Sequence, residues 1–199
     1  MDFKLTEEQL MIQQAARDFA QTELLPGVIE RDEHSNFPAD AVKKMGELGF
    51  LGMMVDPKYG GAGLDSVSYV LAMEEIAKVD ASAAVVMSVN NSLVCAGMEK
   101  YCSEEQKQKY LVPLASGEVI GAFCLSEPEA GSDATSQKTT AIDMGDHYLL
   151  NGAKMWISNS PFCDVAVVWA KNEEGRIHGL IVERGMEGFT TPETHNKWS

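Results

Sequence analysis

The hydrophobic period of this chain changes once, near Ser116, from the 3.6-residue spacing of amphipathic helices to the 2-residue spacing of half-buried strands. A single switch of this kind segregates the two classes of secondary structure. It predicts an α+β chain, with an all-α domain over residues 1–115 and a β domain over 116–199. No internal repeat interrupts either part.

The helical part carries its own punctuation. Thr6-Glu-Glu-Gln9 is a capping box. Leu10, Ile12, Ala15, Ala16, Phe19 and Ala20 then recur at helical spacing, which predicts a helix ending near Pro26. Phe37-Pro38 opens a second helix, 39–48, stopped by Gly49. Gly60-Gly-Ala-Gly63 has no following Lys-Ser/Thr and no G-x-G-x-x-G, so it reads as a connector rather than a phosphate cradle. Asp65 caps a third helix to Val79. Residues 81–101 make a fourth, small and apolar in its first half. Ser88, Asn90, Asn91 and Ser92 are out of place there, since polar groups in a buried helix need partners. Either they bond neighbouring backbone or the helix walls a ligand pocket. Ser103-Glu-Glu-Gln106 caps a short helix to Leu111, which Pro113 closes.

The densest chemistry lies between Gly121 and Asn159. An apolar run from Ile120 to Leu125 is long enough for one buried strand. A loop of turn residues follows, Ser126-Glu-Pro-Glu-Ala-Gly-Ser-Asp133. Its hydroxyls and N–H groups suit one acceptor-rich ligand. Residues 137–144 and 147–150 read as strands joined at Gly145-Asp146, and Asn151-Gly152 is a second turn signal. On these residues alone, a β-meander with a polar loop is the favoured account. Asp164–Ala170 and Ile177–Val182 are two further strands, separated by a charged turn.

CLSEPEAGSDA and NGAKMWISN resemble the two flavin-contacting segments of the acyl-CoA dehydrogenases, in the same order, and the likeness runs from FKLTEEQ to the end of the chain. The resemblance implies a helical domain followed by a β-barrel-like domain. It also implies a further C-terminal helical bundle, carrying the catalytic base, that has no counterpart in residues 1–199. No catalytic residue is therefore assigned, and Glu74, Glu75 and Glu127 match no base of the family.

The cofactor implied is FAD, held by Phe123, Cys124, Leu125, Ser126, Gly131, Ser132, Trp156, Ile157 and Ser158. Trp156 would lie against the ring system and Ser158 would donate towards N5. Ser132, Ala84, Met87 and Ser88 would meet the acyl-CoA. The reaction implied is α,β-dehydrogenation to the trans-2-enoyl-CoA, with electrons leaving to an electron-transfer flavoprotein from a homo-oligomer, a tetramer when full length. A flavin oxidase on the same scaffold, or a non-catalytic flavin-binding module, would carry the same motifs.

Local likenesses divide on the substrate. Ser158-Asn-Ser-Pro161 and Val182-Glu-Arg-Gly185 resemble the glutaryl branch, while Met87-Ser-Val-Asn-Asn-Ser-Leu93 resembles the short-chain, butyryl-type branch. The glutaryl branch places an arginine where this chain has Ala84, and no Lys or Arg lies between Lys78 and Lys100. A short, methyl-terminated acyl chain is expected.

A net charge of −14 argues against nucleic acid or an anionic membrane as partner. The start MDFKLTEEQ does not read as a signal peptide, and no apolar run is expected to approach the roughly 18 residues of a membrane span. The four cysteines form no C-x-x-C and cluster with no histidine, so neither a zinc site nor any other metal is expected. Free thiols fit a reducing compartment, the cytoplasm or the mitochondrial matrix.

Overall fold

The computed structural model describes residues 4–195. The outer limits of the expected domains, Met1 and Ser199, lie outside them. The chain divides between Val119 and Ile120 into a helical unit and a sheet unit.

In the helical unit α1 (Glu7–Phe19) opens on the expected capping box, with Gln9 N donating to Thr6 Oγ1 and Thr6 N to Gln9 Oε1. It runs on through a widened π turn, Ala20–Leu24. Its buried side is Ala16, Phe19, Ala20 and Leu24, while Leu10 faces solvent. A short helix absent from the sequence reading, α2 (Val28–His34), buries no residue. With no apolar stripe, it leaves no periodic signal. Then come α3 (Ala39–Glu47) and α4 (Ser66–Ala77).

Between α3 and α4 the Gly60–Gly63 loop is packed down as a connector. Ala62, Gly63 and Leu64 N–H groups donate to Gly52, Val55 and Met53 carbonyls, so they are spent on the protein itself. A Cβ at Gly61 would sit 2.1 Å from the Val55 carbonyl oxygen.

The fourth expected helix is continuous from Ala81 to Tyr101 as α5 (Ala81–Ser88), a π segment Val89–Cys95, and α6 (Ala96–Tyr101). Hydrogen bonds to neighbouring backbone account for the two asparagines among the misplaced polar residues. Asn91 Oδ1 accepts from Met53 N at 2.8 Å, and its Nδ2 donates to Phe50 and Met87 carbonyls at 2.8 and 3.0 Å. Asn90 Nδ2 donates to Leu51 and Leu114 carbonyls. The asparagines splice loop 50–53 into the helix, and both are buried. At 21 residues and a mean hydropathy of 1.4 this helix is long and apolar enough to cross a membrane by length and composition, contrary to the sequence reading. Met87, Val94, Cys95 and Met98 are instead fully buried in the core of the unit, as in the central helix of a soluble bundle. The last helix also outruns expectation. It continues from α7 (Glu104–Gln106) through a π turn, Lys107–Leu111, into α8 (Val112–Ser116) across Pro113. The wide turn just before it accommodates a residue that lacks an N–H.

The sheet unit has five strands: β1 (Gly121–Cys124), β2 (Thr140–Asp143), β3 (Tyr148–Asn151), β4 (Val165–Lys171) and β5 (Ile177–Glu183). Central β4 pairs antiparallel with β5 along its whole length and parallel with β1. β2 joins at Thr140–Lys171 and carries β3 antiparallel. The sheet is open, so the barrel-like domain implied by resemblance is corrected to a mixed open sheet. One face buries Ala122, Cys124, Ala166, Val168 and Val182, backed by Leu150, Ile157 and Phe189.

Candidate functional site

The two segments singled out by sequence meet in the sheet unit. The loop after β1 tightens immediately, with Glu127 N donating to Ala130 O at 3.0 Å and Ala130 N to Glu127 O at 3.1 Å. The second segment crosses it, as Met155 N donates to Ser126 O at 2.9 Å. Trp156 follows with φ of 60° and 69% of its surface exposed. A bulky residue in the left-handed region is strained, and an exposed tryptophan forgoes burial that would stabilise it. Both costs in one residue make it a candidate functional position. Asn159, also left-handed at φ 68°, closes the pedestal. Its Nδ2 donates to Gly121 O at 3.0 Å, and its carbonyl accepts from Phe162 and Cys163 N–H groups.

Under this surface lies a buried polar network. Glu127 accepts from Lys138 N at 2.6 Å, Thr139 N at 3.0 Å, Thr139 Oγ1, and Lys154 Nζ at 2.8 Å. Burial alone would raise its carboxyl. These hydrogen bonds, led by the Lys138 N–H and the Lys154 ammonium, outweigh burial and hold it at about 2. Lys154 also donates to Leu125 O at 3.0 Å and to Gln137 Oε1 at 2.8 Å. Gly152 is pressed against the network, where a Cβ would fall 2.3 Å from Thr139 Oγ1.

The expected flavin residues divide by exposure. Trp156, Ser158, Gly131 and Ser132 are exposed; Phe123, Leu125 and Ser126 are half-buried. Phe123 stacks edge-on against Trp169 at 5.8 Å. The Cys124 side chain points into the sheet core, where burial pushes its thiol up to about 12, and Ile157 packs on the same core. These two can serve a ligand only through their backbone. Among the described residues, the hydroxyls of Ser126, Ser132 and Ser158 take no protein partner. Free hydroxyls beside a presented indole fit a planar heterocycle rich in acceptors, so the donor set suits the expected cofactor.

In the helical unit Ala84 and Met87 are buried, at 4% and 0% exposure, and Ser88 is half-buried. The same helix shows Val85, Ser92 and Leu93 to solvent. Glu75 is also buried. Arg17 grips it with two bonds of 3.0 Å, and Lys78 and Gln13 add one each. The Arg17 guanidinium foremost, against the opposing effect of burial, holds the Glu75 carboxyl at about 2. Neither Glu75 nor Glu127 is free to take a proton from a substrate near neutral pH.

Sequence reasoning missed Lys154, Gln137, Thr139, Asn159 and Gly152. The one available signal was Lys154, a lone cation beside the apolar Met155-Trp156-Ile157.

Comparison with known families decides the identity of this arrangement. Residues 6–118 match the acyl-CoA dehydrogenase N-terminal domain, and residues 122–199 match the acyl-CoA dehydrogenase middle domain. The chain belongs to the acyl-CoA dehydrogenase family. A short-chain-specific acyl-CoA dehydrogenase of Clostridium acetobutylicum is 43% identical over 201 residues, which cover 99% of this chain and 53% of that protein. A chain from the structural study of the electron transferring flavoprotein of Acidaminococcus fermentans superposes with a TM-score of 0.95 at 45% identity, covering 99% of this chain and 53% of that one. A glutaryl-CoA dehydrogenase of Mycobacterium smegmatis in complex with FADH2 superposes at 0.94 with 39% identity, covering 98% and 50%. The acyl-CoA dehydrogenase chain described here thus spans about half the length of the relatives it matches.

Proposed function

We propose that this chain forms the FAD-facing part of a short-chain acyl-CoA dehydrogenase, which converts an acyl-CoA to its trans-2-enoyl-CoA and passes electrons to an electron-transfer flavoprotein. The observation that carries the reading is Trp156, presented in a strained conformation beside the free hydroxyls of Ser126 and Ser158. Bound FAD would supply the hydride acceptor. Trp156 would offer a stacking face, Ser126 and Ser158 would donate to polar atoms of the ring, and Ser132 would meet the CoA moiety. The loop and pedestal are pre-organised, so little ordering entropy is lost on binding. The C. acetobutylicum relative and the M. smegmatis FADH2 complex support the substrate class and the cofactor.

Residues 1–199 supply binding surface rather than the base, which the family resemblance places in a further helical bundle; Glu75 and Glu127, the two buried glutamates among the described residues, are both locked in ion pairs. A short, uncharged acyl chain fits the lack of any Lys or Arg between Lys78 and Lys100, since a glutaryl carboxylate needs a cation. The glutaryl reading draws on the sheet-unit likeness and on the M. smegmatis structure. Electron-transfer flavoprotein as acceptor is supported by the A. fermentans match. A homo-oligomer and a reducing compartment, cytoplasm or mitochondrial matrix, complete the proposal. The test is flavin content and the product formed from butyryl-CoA by the whole native protein. Bound FAD and enoyl-CoA are expected; a colourless protein, or peroxide as the product, would overturn the reading.

A further inference from the structure

Lys154 poses a problem of energetics. Its side chain is 9% exposed and that of Glu127 is 5% exposed. Burying two charges costs about as much as their attraction returns, and apolar residues of similar size commonly serve stability as well or better. A buried pair is instead suited to fixing register, because its geometry admits one arrangement. Here the ammonium uses all three of its protons. They go to Leu125 O, Glu127 Oε1 and Gln137 Oε1. The acceptors come from the exit of β1, the loop after it, and the approach to β2. Lys154 itself lies two residues before Trp156. Gln137 is 1% exposed, and its Nε2 has no partner. Its amide is turned oxygen-first to the ammonium even though the nitrogen is thereby left unpaired, so the cation dictates the orientation.

We propose that Lys154 is a positioning residue. Its ammonium fixes the loop bearing Ser126 against the pedestal bearing Trp156, and thereby sets how tightly and in what orientation FAD is held. The inference rests on the flavin reading given above and goes beyond it, since the Lys154 side chain is buried under the loop rather than presented with the indole and the hydroxyls. The Asn159 bond to Gly121 O anchors the far side of the pedestal; on the near side Lys154 adds to the Met155 N–Ser126 O bond the side-chain contacts that hold the loop.

The experiment uses the whole native protein, its apo form titrated with FAD. The readouts are the dissociation constant, the visible circular dichroism of bound flavin, and the melting temperature. Lys154→Met combined with Glu127→Gln leaves no unpaired charge. It is expected to fold, to bind FAD about tenfold more weakly, and to change the flavin dichroism. Lys154→Arg, which keeps the cation, is expected to restore the dichroism. A double variant that folds with unchanged affinity and dichroism overturns the proposal. So does failure of every variant to fold, which would make the network a folding determinant only. Trp156→Ala in the same titration separates the two readings. If it weakens FAD while the double variant does not, only the Lys154 inference falls; if the wild type binds no FAD, both fall.

Discussion

Met155 N donates to Ser126 O at 2.9 Å, joining two segments 29 positions apart in the chain (155 − 126). This bond places the last residue before Trp156 directly over the start of the Ser126–Asp133 loop. It brings the Ser126 hydroxyl to the segment that carries Trp156 and Ser158.

The first consequence concerns the cofactor. Trp156→Ala and Ser126→Ala in the whole protein should each lower bound FAD, by about tenfold or more in affinity for the tryptophan, which loses a stacking face. Equilibrium dialysis against FAD is the measurement. Unchanged flavin content in both variants would remove the basis of the proposed function.

Strain at Trp156 gives a separate prediction. With φ at 60° the backbone favours glycine. Trp156→Gly should therefore be more stable than Trp156→Ala by about 1 kcal/mol, the reverse of the usual order in regular structure. Urea denaturation of the two variants compares them directly.

Acid sensitivity follows from Glu75 and Glu127. Both carboxyls fall from an ordinary 4.5 to about 2 on folding. The unfolded chain therefore takes up protons first as pH drops. Stability from these groups is complete above 4.5 and is lost progressively towards 2. Melting temperature should be flat on the alkaline side of 4.5 and fall below it. Glu75→Gln should lower the plateau and make the acid slope shallower; an unchanged slope would show that Glu75 does not contribute.

Asn91 is a stability determinant of the helical unit. Asn91→Leu strands the Met53 N–H and the Phe50 carbonyl in the core. A cost of about 3 kcal/mol is expected, read as a lower urea midpoint. Loss of acyl-CoA binding without loss of stability would mark Asn91 as a ligand residue instead.

The substrate prediction is a kcat/KM for butyryl-CoA at least about tenfold above that for glutaryl-CoA, because an unpaired buried carboxylate costs several kcal/mol. A preference for glutaryl-CoA overturns it. Ala84→Arg, the change that resemblance suggests for switching substrates, should first destabilise the helical unit, since Ala84 is buried at 4% exposure.

Local signals determined a good deal. The capping box at Thr6 and Gln9, the caps at Asp65 and Ser103, and the period change near Ser116 are written in neighbouring residues; α1, α4 and α7 begin where the caps point, and the first strand follows at Gly121. The motif residues around Ser126 and Trp156 were legible for the same reason. Tertiary structure alone decided the rest. Asn90 and Asn91 gave two readings in sequence, and only their partners in loop 50–53 and α8 settled them as splices. Cys124 and Ser126 are near neighbours in one motif, yet Cys124, the last residue of β1, packs into the core while Ser126, beyond the end of the strand, keeps its hydroxyl free. Lys154, Gln137, Thr139 and Glu127 carry no mutual spacing that a sequence could display. They become a network because strand pairing brings distant turns together, and burial then obliges every charge among them to find a partner.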